Sequence, residues 1–183
     1  MRVIAGEARR LQLKCLEGLE TRPTTDRIKE TLFNIINDDI YGCVFIDLFA
    51  GSGGIGIEAL SRGAKEAVFV EKNKNAVNVI KDNLSHTHLE DRAKVIMGDA
   101  VASIDRLGNY EHIDVIYMDP PYKLGIEEDV LKAISRLNNV DEDTLIILEA
   151  DIKTDFDFIE ELDYTIQRVK NYKTNKHLFL TKN

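Results

Sequence analysis

Beyond Gly42 the chain alternates apolar runs of strand length with segments of helical periodicity. Strands are predicted at residues 44–49, 67–71, 93–97, 113–118, 144–148, 164–169 and 177–181, and helices at 55–62, 75–85, 101–107, 127–137 and 156–162. Repeated strand–helix units predict a parallel sheet that is covered by helices on both faces. The last two strands are close enough for a hairpin, which would add an antiparallel strand at one edge. The sequence therefore predicts an α/β fold with a seven-stranded, mostly parallel sheet.

The first 40 residues have a different pattern. Short apolar runs at 3–5 and 11–13 flank a polar turn, which predicts a β-hairpin. Pro23 keeps the next segment extended or looped, and Thr25 or Asp26 is suited to cap the helix that follows. The apolar face of this helix is predicted to hold Ile28, Leu32, Ile35 and Ile36. Because 183 residues suffice for one hydrophobic core, we expect a single domain, with residues 1–40 as an extension of a core at 43–183.

The composition is that of a soluble globular protein, with 44% hydrophobic residues. No apolar run reaches the roughly 20 residues that a membrane span needs, and the N-terminus lacks the apolar segment of an export signal. Cys15 and Cys43 lie far apart and match no metal spacing, which favours reduced thiols in the cytoplasm. We therefore expect a cytoplasmic protein without membrane association.

The net charge of −8 argues against a uniformly basic nucleic-acid binder. The cations are nevertheless concentrated at the two ends of the chain. Residues 1–14 hold four Arg or Lys against Glu7 alone, and residues 164–183 hold five and no acid. Both ends are therefore candidate surfaces for a polyanion, and the alternative is ordinary solvated charge.

A glycine-rich loop connects the first strand of the core to its helix. Gly51, Gly53 and Gly56 match the fingerprint G-x-G-x-x-G, and Glu71 lies where that fingerprint has its ribose-binding acid. The same pattern fits two cofactors. One is NAD, whose pyrophosphate would sit on the helix N-terminus, and the other is S-adenosylmethionine, which has no phosphate.

Acids at the ends of consecutive strands favour S-adenosylmethionine. Asp47 ends the first core strand, where a carboxylate would repel a pyrophosphate but receive an ammonium group. Glu71 ends the second strand, where it is suited to accept both ribose hydroxyls, and Asp99 follows the third, where it is suited to accept the adenine amino group. Each acid alone has helix capping as its alternative. The ordered set, with Asp119 after the fourth strand, instead points to a binding site at one edge of the sheet.

The fourth core strand ends at Asp119-Pro120-Pro121-Tyr122. Neither proline can donate a backbone N–H, so the chain leaves the sheet there, at the edge where open α/β sheets bind ligands. The turn combines a carboxylate, exposed carbonyls and an aromatic ring. This combination suits a planar amino group, because the oxygens accept its hydrogens and the ring of Tyr122 stacks on its plane. The alternative for Tyr122 is ordinary core packing.

With these motifs the chain resembles the class I S-adenosylmethionine-dependent methyltransferases, which have a Rossmann-like fold. Nearly end to end it is similar to the bacterial 16S ribosomal RNA guanine-N2 methyltransferase family of the RsmD type. The specific part of this resemblance is N-terminal, in Arg2 to Gly6 and in Thr21-Arg22-Pro23-Thr24. It implies methylation of a guanine N2 amine in 16S rRNA, within a small ribosomal subunit or an assembly intermediate. S-adenosylhomocysteine would be the product, no metal is implied, and we expect a monomer.

The motifs and the resemblance together give the expected site residues. The expected cofactor-binding residues are Asp47, Phe49, Ala50, Gly51, Gly53, Gly56, Glu71, Asp99 and Ala100. The expected catalytic residues are Asp119, Pro120, Pro121 and Tyr122. The expected RNA-binding residues are Arg9 and Arg10 at the hairpin tip, and Arg22, Thr24 and Arg27 before and in the first helix. The chain departs from the family at 171–175, where a Tyr-Gly pair is usual before the last strand.

In the expected mechanism, the Asp119 carboxylate and the Pro120 carbonyl accept the two amino hydrogens and aim the nitrogen lone pair at the sulfonium methyl group. Three rival functions remain open. A methyltransferase that acts on DNA adenine N6 or cytosine N4 amines, or on a protein glutamine, has the same turn. An NAD-dependent oxidoreductase shares the glycine pattern. A catalytically silent RNA-binding protein would need none of the acids.

Overall fold

A mixed seven-stranded sheet forms the centre of the computed structural model, which describes residues 1–16, 25–121 and 125–183. The strands of this described part are β1 (Val44–Asp47), β2 (Glu66–Glu71), β3 (Ala93–Met97), β4 (Val115–Met118), β5 (Leu145–Asp151), β6 (Tyr164–Asn171) and β7 (Asn175–Lys182). Their order is β3-β2-β1-β4-β5-β7-β6. The first five strands pair in parallel, and β7 is antiparallel to both β5 and β6. The predicted sheet is confirmed, with the antiparallel strand one place in from the edge.

Helices cover both faces of the sheet. They are α1 (Asp26–Ile35), α2 (Asn37–Ile40), α3 (Gly54–Ser61), α4 (Lys74–Thr87), α5 (Ala100–Ile104), α6 (Ile126–Ser135) and α7 (Phe158–Glu161), with 3₁₀ turns at Glu90–Arg92 and Asp105–Asn109. Residues of α1, α3 and α4 pack in one core cluster, and residues of α5, α6 and α7 in the other. No helix of the three described ranges is long and apolar enough to cross a membrane.

The central strands are apolar on both faces because each face is covered. In β1, Phe45 packs in the cluster with α3 and α4, while its neighbour Ile46 packs in the cluster with α5 and α6. Successive side chains of a strand point to opposite faces, so a doubly covered strand becomes a continuous apolar run. This is why the core strands could be recognised in the sequence without an alternating pattern.

The N-terminal extension is a hairpin followed by α1. Its two arms share one antiparallel bridge, Arg2 to Gln12, and the Val3 N–H donates to the Leu11 carbonyl at 3.0 Å. Helix α1 begins after Thr25, whose hydroxyl accepts the Ile28 N–H at 3.3 Å. The extension therefore has the expected elements, although its arms are shorter than full strands.

Candidate active site

The carboxyl ends of the parallel strands open into one cleft of about 1550 Å³. Strands β1 and β4 are neighbours at the centre of the sheet, and the strand order runs outward from them in opposite directions. Loops that diverge at such a switch leave a crevice, which is where open α/β sheets bind ligands. Residues from the start of α1 and from the β6–β7 turn also line this cleft.

Asp47, at the end of β1, is 1% exposed, and burial raises its pKa to about 7. The negative charge of Glu71 adds to this rise. The Asp47 Oδ2 accepts the Gly56 N–H at 3.2 Å, whereas its Oδ1 has no hydrogen-bond partner in the described part of the chain. A buried carboxylate oxygen without a donor is costly. Because Asp47 lines the cleft, its geometry suits a cationic ligand group that donates to Oδ1.

Glu71, at the end of β2, is hydrogen-bonded to the glycine loop and to the backbone that follows β2. Its Oε2 accepts the Gly51 N–H at 2.9 Å, and its Oε1 accepts the Asn73 N–H at 2.7 Å. Each carboxylate oxygen can accept more than one hydrogen bond. Both oxygens are therefore oriented by the backbone and keep capacity for two neighbouring hydroxyl groups of a ligand.

The glycines of the loop have separate roles. Gly51 lines the cleft together with Phe49 and Ala50. Gly53 and Gly56 do not line it. Gly53 has a φ of 82° and precedes the first residue of α3, a left-handed conformation that favours glycine. A Cβ atom at Gly56 would overlap the Phe69 ring of β2, so this glycine allows α3 to pack closely on the sheet.

Asp99 and Ala100, after β3, both line the cleft. Asp99 is exposed, and its Oδ1 accepts the Ala102 N–H at 3.2 Å and so caps α5. Capping and ligand binding, which were alternatives in the sequence, are compatible here. The second carboxylate oxygen, Oδ2, makes no hydrogen bond within the described residues and can accept one from a ligand.

The chain leaves the sheet after β4, and Asp119, Pro120 and Pro121 line the same cleft. Pro120 is buried and Asp119 is half-buried. Burial raises the pKa of Asp119 well above its usual range, and the charges of Glu149 and Asp47 raise it further. Asp119 thus lies close enough to Asp47 and Glu149 for their charges to act on it. Tyr122 lies outside the described residues.

A polar network at the cleft was not found from the sequence. Glu149 of β5 is 5% exposed. It accepts hydrogen bonds from the Tyr117 hydroxyl at 2.6 Å and from the Asn175 amide at 2.5 Å, and its Oε2 lies 3.0 Å from His177 Nε2. Burial alone would raise the pKa of Glu149, but these bonds and the electrostatic effect of His177 lower it overall. Glu149 is a fifth acid near the carboxyl end of a core strand, and this position was the available signal.

The expected RNA-binding residues lie in different places. Arg27 is exposed in the first turn of α1 and lines the cleft, whereas Arg9 and Arg10 do not line it. Their turn is bound to Ser61, whose carbonyl accepts the Glu7 N–H at 2.9 Å. Ser61 ends α3, an eight-residue helix that spans about 12 Å from the glycine loop. The hairpin tip is therefore remote from the cleft. Arg22 and Thr24 lie outside the described residues.

Asn83 of α4 connects the extension to the glycine loop. Its amide donates to the Lys14 carbonyl at 3.0 Å and to the Ser52 carbonyl at 2.9 Å, and its oxygen accepts the Lys14 N–H at 2.8 Å. The side chain is 1% exposed, so these bonds are shielded from water. Lys14, which directly precedes the cleft-lining residue Cys15, is thus fixed to the glycine loop at Ser52.

Comparisons with known proteins agree with this architecture. The family model described as Conserved hypothetical protein 95 matches residues 1–180. YlbH of Bacillus subtilis is 40% identical over 152 residues, with 82% of this chain and 83% of YlbH covered. The ribosomal RNA small subunit methyltransferase D of Haemophilus influenzae is 36% identical, with 82% and 79% covered. The structure of precorrin-6y C5,15-methyltransferase from Geobacter metallireducens has a TM-score of 0.70 at 16% identity, with 93% of each chain covered.

The sheet order, the helices on both faces and the cleft at the strand ends define a class I methyltransferase fold. Within this class, the chain belongs to the Conserved hypothetical protein 95 family, which is the family of the RsmD-type methyltransferases. Across residues 1–16, 25–121 and 125–183, no group of three or more His, Cys, Asp or Glu side chains is placed to hold a metal ion.

Proposed function

We propose that this protein transfers a methyl group from S-adenosylmethionine to the exocyclic N2 amine of a guanine in 16S rRNA. The observation that carries the proposal is the juxtaposition of Asp47 and Asp119 at the ends of neighbouring strands, in one cleft. One carboxylate would receive a cationic cofactor group, and the other begins the turn that suits a planar amine. The family relation then favours an RNA base as that amine.

The residues of the cleft fit S-adenosylmethionine. The Asp47 Oδ1, buried and without a partner in the described residues, would accept the ammonium group of the cofactor. Glu71 would accept the two ribose hydroxyls, and Asp99 the adenine amino group next to Ala100. A pyrophosphate would face the carboxylates of Asp47, Glu71 and Asp99 in this cleft, and like charges repel each other. The same acids therefore count against NAD.

The sulfonium of the bound cofactor supplies an electrophilic methyl group, so the protein has to position and prepare the amine. An exocyclic guanine amine is a weak nucleophile, because its lone pair is delocalised into the ring. In the proposed mechanism the Asp119 carboxylate and the Pro120 carbonyl accept the two amino hydrogens, which directs the lone pair towards the methyl group. Tyr122, which follows Pro121 in the sequence, would stack on the base. Such positioning can account for a large part of a rate enhancement.

The proposed substrate is the RNA of the small ribosomal subunit, either in the subunit or in an assembly intermediate. The relative from Haemophilus influenzae is named a ribosomal RNA small subunit methyltransferase. The negative net charge of this chain gives little general attraction for RNA, since RNA affinity depends on neutralised phosphates. Local cations such as Arg27, exposed at the cleft, would supply that attraction.

The test is labelled methyl transfer from S-adenosylmethionine to free 16S rRNA, to small subunits that lack the modification, and to DNA, followed by analysis of the methylated nucleoside. We expect N2-methylguanosine from the rRNA or subunit reaction and no product from DNA. Methylated adenine or cytosine would show that the target is one of these amines and not guanine N2. Labelled protein in the subunit reaction would show that the target is a protein side chain. No transfer to any acceptor, together with no binding of S-adenosylmethionine, would contradict the proposal as a whole.

A further inference from the structure

The turn between β6 and β7 lines the active-site cleft. Residues 170–175 all contribute to its lining, although β6 is the outermost strand of the sheet. Strand β7 is antiparallel to β5 and begins at Asn175, which pairs with Asp151 at the carboxyl end of β5. The reversed direction of β7 thus brings the turn to the edge of the sheet that holds Asp47 and Asp119.

Tyr172, at the centre of this turn, is bound to the network beside Asp119. Its hydroxyl lies 3.2 Å from His177 Nδ1, and the two rings meet edge to face with centroids 4.9 Å apart. His177 Nε2 in turn lies 3.0 Å from the Glu149 carboxylate, which also accepts the Tyr117 hydroxyl. Tyr172 is half-buried, so its ring is positioned by these contacts while part of its surface remains accessible from the cleft.

Lysines flank Tyr172 in the sequence, and the C-terminal lysines differ in whether they donate hydrogen bonds to the protein. Lys176 donates to the Thr154 carbonyl at 2.7 Å, and Lys182 to the Val140 carbonyl at 3.1 Å. Lys170 and Lys173 instead line the cleft, and within the described residues neither has an ion-pair partner. No acid occurs from residue 164 to 183. In a protein of net charge −8, this local excess of positive charge on the β6–β7 turn is suited to phosphate groups.

We propose that the β6–β7 turn is an RNA-contacting surface, in which Lys170 and Lys173 bind backbone phosphates and the Tyr172 ring stacks on an unpaired base. The proposal rests on the function proposed above, because it takes RNA as the substrate. Aromatic rings between cations are the usual means of holding single-stranded RNA without strict sequence preference. With Arg27 on the N-terminal side of the cleft, RNA would be held by elements from both ends of the chain.

The charge contribution is tested with the double variant Lys170→Gln/Lys173→Gln. Its matched control is Lys65→Gln/Lys81→Gln, because Lys65 and Lys81 are exposed and do not line the cleft. Both variants remove two positive charges, so any general effect of net charge is the same. We expect the cleft variant to bind a 16S rRNA transcript about tenfold more weakly at moderate salt. The slope of log K against log salt is negative, and its magnitude should fall by about 1.4, since each lost contact to a single strand contributes about 0.7.

The stacking contribution is tested with Tyr172→Ala and Tyr172→Phe. The phenylalanine variant keeps the ring and loses only the hydroxyl contact with His177. We expect Tyr172→Ala to weaken RNA binding by about 5- to 150-fold, the range measured for loss of one stacked base, and Tyr172→Phe to change it less than threefold. Unchanged affinity for S-adenosylmethionine in every variant establishes that the fold and the cofactor site are intact.

The outcomes separate this inference from the proposed function. If the wild-type protein methylates 16S rRNA and the cleft variants bind it as tightly as the control, the turn does not contact RNA and the proposed function still holds. Equal weakening in the cleft and control lysine variants would also overturn the inference, because the effect would then be one of net charge. If the wild-type protein binds S-adenosylmethionine but neither binds nor methylates 16S rRNA, whether free or in small subunits, the proposed substrate is wrong, and the inference fails with it.

Discussion

Lys29 Nζ lies 3.1 Å from Glu58 Oε2, and neither side chain is exposed to solvent. The lysine belongs to α1 and the glutamate to α3, so the pair joins the N-terminal extension to the helix that follows the glycine loop. The lysine also donates to the Arg2 carbonyl at 2.6 Å, and Glu58 accepts the Ile4 N–H at 2.8 Å. A buried ion pair is costly to form unless further hydrogen bonds satisfy both groups. Here the backbone of the hairpin supplies them.

Removal of Glu58 should destabilise the protein strongly. Burial lowers the pKa of Lys29, and Glu58 opposes that shift, so Glu58→Ala leaves a buried lysine without its carboxylate. We expect a loss of about 3–5 kcal/mol in the free energy of unfolding, measured by urea denaturation. Glu128→Ala is the control, since Glu128 forms an exposed pair with Lys132 and should matter little. Similar effects of the two substitutions would contradict a structural role for the buried pair.

The two neighbouring glycines of α3 should differ in their tolerance of alanine. At Gly56 a Cβ atom would lie 2.7 Å from Phe69 Cζ, and the Phe69 ring is fully buried in β2. Overpacking of this kind costs about 1–3 kcal/mol or more, so Gly56→Ala should lower the unfolding free energy by that amount. At Gly54 the obstacle is the Met1 Sδ at 2.5 Å, the end of a flexible side chain. Gly54→Ala should therefore be nearly neutral in the same denaturation experiment.

The sheet could be predicted because its strands are buried on both faces and are separated by helices of regular period. The cleft positions of Asp47, Glu71, Asp99 and Asp119 followed from the same pattern, since the carboxyl ends of parallel strands meet at one edge. The pairing of Glu149 with His177 could not be found in this way. These residues are 28 positions apart, and they meet because β5 and β7 pair in antiparallel register with the two residues directly opposite.

Helix α1 was predicted with its apolar face rotated from the observed one. The buried residues are Lys29, Leu32 and Phe33, followed by Ile36, whose spacing of i, i+3, i+4 and i+7 is that of one helix face. A lysine in such a set is ordinarily assigned to the surface, so the sequence pattern favoured the face through Ile28. Only the position of the Glu58 carboxylate, on a helix about 30 residues later, explains the buried lysine.

The ionised carboxylate of Asp47 should lower the free energy of unfolding. Its folded-state pKa of about 7 exceeds the value of about 3.9 in an unfolded chain. The folded state therefore binds more protons between these values, and its stability falls as the pH rises through that window. We expect Asp47→Asn to raise the unfolding free energy by about 1–2 kcal/mol at pH 8. The difference from wild type should shrink as the pH falls through that window, and it should be smallest well below the unfolded-state pKa of about 3.9, where both states hold the proton.

The same substitution should weaken cofactor binding. Only the ionised Asp47 carboxylate attracts an ammonium group, so wild-type affinity for S-adenosylmethionine should rise with pH through about 7, the pKa of the free protein. Asp47→Asn should lose about tenfold or more in affinity at pH 8 and should lack this pH dependence. Calorimetric titration at several pH values measures both effects. A variant that is more stable and binds equally well would exclude Asp47 from the cofactor site.

Asp119→Ala should abolish methyl transfer while cofactor binding stays nearly intact. The carboxylate is proposed to contact the target amine, and it lies at the end of β4 beside the loop that would hold the cofactor. We expect kcat to fall by about a thousandfold or more, as for loss of a preorganised group that acts in the transition state. The dissociation constant for S-adenosylmethionine should change less than threefold. Full activity in this variant would refute the proposed role of Asp119.

The pH dependence of methyl transfer should be set partly by Glu149. Burial and the charges of Glu149 and Asp47 raise the pKa of Asp119. Because only the ionised carboxylate of Asp119 accepts the amino hydrogens, kcat should rise with pH through this pKa. Glu149→Gln removes one of the negative charges that raise it.

We therefore expect the rising limb of the kcat profile to move to lower pH in Glu149→Gln, at saturating S-adenosylmethionine. The control is Glu142→Gln, in which an exposed carboxylate outside the cleft is neutralised, and its profile should match that of the wild type. Glu149→Gln also weakens the contact with His177. Its affinity for S-adenosylmethionine therefore has to be measured, because a misfolded variant would lose that affinity. A profile that keeps its position in Glu149→Gln, with cofactor affinity unchanged, would mean that Asp119 does not titrate in the catalytic step.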